Sequence, residues 1–187
     1  MNRLLSGCPW VLHVIFILMI SICIDEAWAD DSDLKVIEKA QGIFDLHLCK
    51  DDRLGVELFC NRDWKQEVGR DAVLFTISED PAVLLTVARS KELVTGMDEL
   101  TEDKIKHLGQ YANGFKIEHL KVGDDSAIKV EGFSSAFSEL RLMDYYVIHD
   151  YQLYSFLFSV NPKEEWVNYS VLFSKIVEGA KITGGKI

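Results

Sequence analysis

Apolar and polar residues alternate along several segments of the chain, and this alternation predicts a sheet built from hairpins. Val73, Phe75 and Ile77 alternate with Leu74 and Thr76 in one such segment. A proline that follows it favours a turn, because proline cannot donate a hydrogen bond to a β-ladder. The two-residue period predicts strands over residues 72–78, 82–89, 115–122, 127–137, 139–148 and 151–160, with the last two joined by a turn at His149 and Asp150.

Apolar residues at three- and four-residue steps predict helices between and after these strands. The first is a short helix over residues 34–44. A second begins after Thr101, a good N-cap, and ends at Gly114. The C-terminal helix begins at Asn161 as N-cap, and its apolar stripe comprises Trp166, Tyr169, Leu172, Phe173, Ile176 and Ala180. Strands and helices in this order predict an α+β domain in which helices cover an antiparallel sheet.

The stretch DYYVIHDYQLYSFLFSV, residues 144–160, has the highest density of aromatic rings. Alternation places Tyr154, Phe156 and Phe158 on one face of its second strand, where they are expected to meet the C-terminal helix. We therefore assign most of these rings to the core and not to a stacking surface for a ligand. The three rings nearest the turn stay open as possible partner contacts: Tyr145, Tyr146 and Tyr151.

The first 29 residues have the layout of a secretory signal peptide. A short positive start is followed by an apolar run over residues 10–24, and Ala27-Trp28-Ala29 supplies small residues where a signal peptidase reads them. We expect cleavage after Ala29 and a single domain over residues 30–187. An uncleaved N-terminal anchor is the alternative, and it would be the only contact with the membrane.

Two cysteines follow this segment, Cys49 and Cys60, in the stretch LHLCKDDRLGVELFC. Exported proteins meet an oxidising compartment, where paired thiols tend to form disulfides. The flanking residues alternate, so two strands joined by residues 50–55 would bring the cysteines opposite each other within bridging reach. We expect a structural disulfide, and two free buried thiols or a redox pair are the alternatives.

The motifs of common catalytic and metal sites are absent from the sequence. There is no HExxH, P-loop or GxGxxG pattern, and Gly132-Phe133-Ser134-Ser135-Ala136 lacks the second glycine of a nucleophile elbow. The histidines of the mature chain share no metal-ligand spacing with one another. A net charge of −10 disfavours binding to phosphate backbones. We expect no catalytic residues, no metal, no cofactor and no nucleic-acid partner.

Residues 54–182 resemble the PsbP-like superfamily, which includes the extrinsic protein of photosystem II and exported bacterial proteins of the DcrB type. The resemblance is carried by three segments: Gly55-Val56-Glu57-Leu58-Phe59 leading to Asp63-Trp64, Leu93-Val94-Thr95 leading to Leu100-Thr101-Glu102, and the aromatic hairpin ending in Trp166, Tyr169, Phe173 and Ile176. Cys60-Asn61-Arg62 departs from the family, which commonly has a proline-containing turn there. The resemblance implies an α/β/α sandwich around an antiparallel sheet and a role without catalysis, but it transfers no functional residue.

These observations predict an exported accessory protein, periplasmic or secreted, that binds an envelope protein. The alternative is a periplasmic module for a small molecule or lipid, with the aromatic hairpin lining its pocket. An enzyme would need titratable side chains that converge in one cleft.

Overall fold

The computed structural model describes residues 46–184, all of which lie in one compact unit of the chain. The signal segment and the helix predicted over residues 34–44 lie outside the described residues. Within this range the chain forms ten strands, two α-helices and two 3₁₀ turns. The strands are β1 (Leu46–Asp51), β2 (Val56–Asn61), β3 (Lys65–Val68), β4 (Ala72–Ser78), β5 (Ala82–Leu93), β6 (Lys116–Val122), β7 (Asp125–Phe133), β8 (Arg141–His149), β9 (Gln152–Asn161) and β10 (Lys181–Ile182). The helices are α1 (Glu102–Gly109) and α2 (Trp166–Glu178).

A seven-stranded sheet with the order β3-β4-β5-β9-β8-β7-β6 forms the centre of the fold. Each neighbouring pair in it is antiparallel, as the hairpin pattern predicts. A second, three-stranded sheet has the order β1-β2-β10. It lies with α2 on one face of the large sheet, and α1 lies on the other face. The result is an α+β sandwich whose central sheet is covered on both faces.

The face that carries α2 contains the larger core. Tyr154, Phe156 and Phe158 of β9 are fully buried there, as the parity of the sequence predicts. The Phe158 ring stacks on Phe173 of α2 with 4.3 Å between the ring centroids. Burial of such rings contributes much of the favourable free energy of folding.

The opposite face carries a smaller core beneath α1. Ile105 and Leu100 come from the helical side, and Tyr146 and Leu153 come from the sheet. Thr101 caps α1, because its hydroxyl oxygen accepts a hydrogen bond from the Lys104 N–H.

Two predicted helix ends are wrong. Helix α1 ends at Gly109, not at Gly114, because Gln110 adopts the left-handed conformation and Tyr111 turns into the core beside Ser134. Asn161 is not the N-cap of α2. It is the last residue of β9, paired with Ala82, and a 3₁₀ turn (Lys163–Glu165) separates it from the helix.

Neither helix within residues 46–184 has the length and hydropathy that a membrane span requires.

Candidate functional site

The three tyrosines proposed as partner contacts lie in different environments. Tyr145 and Tyr146 are 4% and 2% exposed, whereas Tyr151 is 65% exposed. Consecutive residues of a strand point to opposite faces, and both faces of this sheet are covered, so Tyr145 and Tyr146 are both buried. Tyr145 and Tyr146 are therefore inaccessible to a partner in this fold, and of the three candidate contacts only Tyr151 is exposed.

Tyr151 lies in a two-residue turn between β8 and β9. Asp150 and Tyr151 both have positive φ angles, 48° and 63°, which is the geometry of a type I′ hairpin turn. Such turns favour Asn or Asp at the first position and Gly at the second, because side chains other than those of Asn and Asp are strained at positive φ. The Val94 N–H donates to the Tyr151 carbonyl over 2.8 Å, which ties the turn to the end of β5.

An apolar and acidic surface surrounds this turn, and we call it the Tyr151 end. Leu93, the last residue of β5, is 68% exposed and pairs in register with Gln152. His149 Nδ1 lies 2.9 Å from Asp125 Oδ2, which links the turn to the start of β7. The carboxylates at this end of the sheet belong to Asp71, Glu92, Asp124, Asp125 and Asp150, and the nearby basic residues are Lys91, which pairs with Asp71, His149 and Lys121. The Tyr151 end thus presents two exposed apolar side chains among an excess of acids.

A second cluster, at the hairpin of β1 and β2, consists of His47, Cys49 and Cys60. The two cysteines lie at disulfide distance, with 5.8 Å between their Cα atoms. They are not directly opposite each other as the sequence had suggested, because Cys60 pairs with His47 and Cys49 pairs with Leu58. His47 Nε2 lies 3.5 Å from Cys49 Sγ and 3.7 Å from Cys60 Sγ. Among residues 46–184, these three side chains form a group of metal-ligand types that lie close enough together to hold one ion.

The search for metal-ligand spacings in the sequence did not single out this cluster. His47 and Cys49 share a face because they are two residues apart on a strand, and this spacing can be read from the sequence. The position of Cys60 beside them depends on the register of the hairpin, which the sequence did not fix.

A cavity of about 270 Å³ lies between this hairpin and the large sheet. Its apolar lining includes Leu54, Leu58, Phe75 and Val87, and its polar lining includes His47, Lys50, Asp51 and Gln66. Asp51 is engaged elsewhere, since the Arg53 guanidinium donates to its carboxylate over 2.9 Å. None of the cavity's lining residues belongs to the aromatic hairpin. This cavity is therefore not the ligand pocket that the sequence predicted beside that hairpin.

A buried carboxyl group, Asp144 on β8, was not singled out from the sequence. It is 2% exposed, and the Ser155 hydroxyl donates a hydrogen bond to it over 2.8 Å. Burial raises the pKa of Asp144 to about 6, and burial beside this carboxyl also raises the pKa of Tyr111 and Tyr146. The sequence feature that could have revealed this buried carboxyl is its position on a strand, because Asp144 shares a face with Leu142 and Tyr146. Because the group is enclosed, it can change its protonation state but does not face a cleft.

Comparisons with known proteins give a fold and no sequence family. No protein-family model matches the chain, and no curated protein matches it in sequence. The crystal structure of LpqN, which is involved in cell envelope biogenesis of Mycobacterium tuberculosis, aligns over 73% of this chain and 89% of that chain with a TM-score of 0.48 and 12% identity. The solution structure of cyanobacterial PsbP (CyanoP) from Synechocystis sp. PCC 6803 covers 73% of this chain and 92% of that chain, with a TM-score of 0.56 and 15% identity. The chain therefore has a PsbP-like fold, as the sequence resemblance implied.

Proposed function

We propose that this chain is an exported, non-enzymatic accessory protein of the cell envelope that binds another protein through the Tyr151 end. The observation that carries the proposal is the exposed Tyr151 ring in a turn that disfavours it. A tyrosine at positive φ costs roughly 1–2 kcal/mol, whereas aspartate tolerates this region, so the cost falls on Tyr151. A ring that is 65% exposed recovers little of this cost by packing within the fold. Contact with a partner supplies a reason for an aromatic residue at this position.

The chemistry of the Tyr151 end defines the partner that it fits. Tyr151 and Leu93 provide an apolar centre, and tyrosine is among the residues that contribute most to protein interfaces. Glu92, Asp124 and Asp150 form an acidic rim. The complementary surface is an apolar pocket flanked by lysine or arginine, and its association is expected to weaken as salt concentration rises.

Export is part of the same proposal. The layout of residues 1–29 supports secretion to the periplasm or beyond, and the PsbP-like fold is compatible with such a location. N-terminal sequencing of the exported protein should give Asp30 as the first residue. A chain that begins at Met1 would contradict cleavage after Ala29.

The binding surface can be tested by capture of partners from envelope fractions with two matched variants. Tyr151→Ser removes the proposed contact. Phe137→Ser removes an aromatic side chain of similar exposure, 68%, in the loop at the opposite end of the large sheet. The same protein should be captured by the wild type and by Phe137→Ser and lost with Tyr151→Ser. Capture that is unchanged by Tyr151→Ser and by Leu93→Ser would refute the Tyr151 end as the binding surface.

Small-molecule binding is the second candidate, and the cavity beside β1 and β2 is the observation that favours it. Its volume of about 270 Å³ is close to the lower limit of roughly 300 Å³ for ligand pockets. Its lining combines an apolar interior with a few polar groups, as such pockets do. Native mass spectrometry of protein purified without denaturation distinguishes the two functions. A copurifying small ligand would favour this candidate over protein binding.

A further inference from the structure

The His47–Cys49–Cys60 cluster is built on a regular hairpin, which fixes where its side chains point. His47 and Cys49 are two residues apart on β1, so they share a face. Cys60 is directly paired with His47 on β2 and lies on that same face. This face is the buried one, because Val56 and Leu58 of β2 also belong to the larger core. The backbone therefore holds one imidazole and two sulfur atoms together, and His47 and Cys49 lie in the wall of the cavity.

The two nitrogen–sulfur distances within the cluster match those between ligands of one zinc ion, whereas its two sulfur atoms lie at disulfide distance. Zinc binds sulfur at about 2.3 Å and histidine nitrogen at about 2.0–2.1 Å in tetrahedral geometry, which separates a nitrogen ligand from a sulfur ligand by about 3.6 Å. The observed separations from His47 Nε2 are 3.5 Å to Cys49 Sγ and 3.7 Å to Cys60 Sγ. Two sulfur ligands of one zinc ion lie about 3.8 Å apart, so the disulfide must open before an ion can enter.

We propose that the dithiol form of this protein binds one Zn²⁺ ion through His47, Cys49 and Cys60. Three protein ligands leave the fourth position to a water molecule, which lies toward the cavity. The residues around the cavity then surround an exchangeable metal ligand. The same two cysteines give a closed disulfide when oxidised, so redox state decides whether the site exists.

A dithiol reductant gives two electrons and two protons to the disulfide between Cys49 and Cys60 and is itself oxidised to a disulfide. The two thiols then lose their protons to solvent as zinc binds, because thiolate is the form that coordinates the metal. His47 binds as the neutral imidazole, through Nε2.

Asp51 is not assigned as the fourth ligand, although its carboxylate lines the same cavity. Its two oxygens accept hydrogen bonds from the Arg53 side chain and from the Arg53 and Leu54 N–H groups. Recruitment of Asp51 would break these bonds, which hold the turn between β1 and β2.

Cobalt(II) titration of the reduced protein without oxygen tests the proposal, because thiolate ligation to Co²⁺ gives a strong charge-transfer absorption. The wild type should bind one equivalent, and added Zn²⁺ should displace it. Cys49→Ser/Cys60→Ser should abolish the charge-transfer band, and His47→Ala should weaken Co²⁺ binding at least tenfold. His119→Ala is the matched control, since His119 is an exposed histidine on β6, and it should leave binding unchanged.

Two results would overturn the site. One is a reduced wild type that binds no Co²⁺ or Zn²⁺. The other is binding that His47→Ala leaves unchanged, which would indicate a simple dithiol chelate without His47.

Circular dichroism is recorded in the same titration. If the reduced chain is unfolded, zinc should restore the folded spectrum in the wild type and not in Cys49→Ser/Cys60→Ser, and no recovery in the wild type would also refute the proposal.

Discussion

Asp144 is the residue at which burial and ionisation conflict most directly. Its carboxyl is 2% exposed and has an ordinary pKa of 3.8, which burial raises to about 6. The folded state therefore binds the proton more tightly than the unfolded state does. The stabilisation from this proton is fully present below about pH 4 and is lost as the pH rises through about 6.

Asp144→Asn should therefore stabilise the protein at neutral pH. The amide keeps an oxygen for the Ser155 hydroxyl, and its NH2 group can donate to the Tyr146 hydroxyl oxygen, which donates to the carboxylate in the wild type; the amide carries no charge to desolvate. The free energy of unfolding should rise by as much as roughly 3 kcal/mol at about pH 7.5, and the gain should vanish near pH 4. Urea denaturation at both pH values measures this, with the exposed Asp124→Asn as control. A gain of equal size at both pH values would indicate that the charge is not its cause.

Tyr151 gives a second prediction at the scale of one residue. Tyr151→Gly should raise the free energy of unfolding by about 1 kcal/mol, because glycine adopts the positive φ of this turn without steric cost. Tyr151→Ala is the control, since alanine keeps the Cβ and the strain while it removes the ring. If alanine stabilises as much as glycine, the strain argument fails. Denaturant unfolding of the three proteins measures the difference.

At the scale of elements, α2 is held to the sheet by aromatic contacts. Phe173 is fully buried and stacks on Phe158, and its ring is also in edge contact with Trp166. Phe173→Ala should lower the free energy of unfolding by about 3–5 kcal/mol. Val167, on the exposed side of the same helix, is the control, and Val167→Ala should change stability by no more than about 0.5 kcal/mol. Chemical denaturation of both variants tests whether this stripe anchors the helix.

The elements also show which parts of the fold follow from local patterns. The faces of β9 were correctly predicted because a two-residue period determines them. The ends of α1 and α2 were wrong because tertiary contacts decided them. Tyr111 leaves the helical path to enter the core, and Asn161 continues the pairing of β9 with β5. Helix-capping preferences of roughly 1 kcal/mol are too small to outweigh such contacts.

The candidate sites were harder to predict because they depend on register and on the layers above the sheet. Tyr145, Tyr146 and Tyr151 looked equivalent in sequence, and only a sheet covered on both faces separates them. The zinc-ligand set required a hairpin register that places His47 opposite Cys60. A single sequence gives the period of a strand more reliably than the partner of each residue.

At the scale of the whole molecule, the disulfide joins the two strands that begin the described part of the domain. Cys49 and Cys60 are separated by 11 residues in sequence. Closure of a loop of this size reduces the entropy of the unfolded chain and contributes roughly 3 kcal/mol in the chain-entropy model. Part of the larger core lies on β2 and in the turn before it, so a loosened hairpin affects the α2 side of the sheet.

Cys49→Ser/Cys60→Ser should therefore lower the free energy of unfolding by roughly 3 kcal/mol without loss of the sheet. Reduction of the wild type in the presence of a metal chelator should have the same effect, because neither the disulfide nor a bound ion then closes the loop. Added zinc should restore part of the lost stability to the reduced wild type but none to the double serine variant. Thiol titration of the unfolded, unreduced protein checks the starting state, and two reactive thiols in it would refute the disulfide.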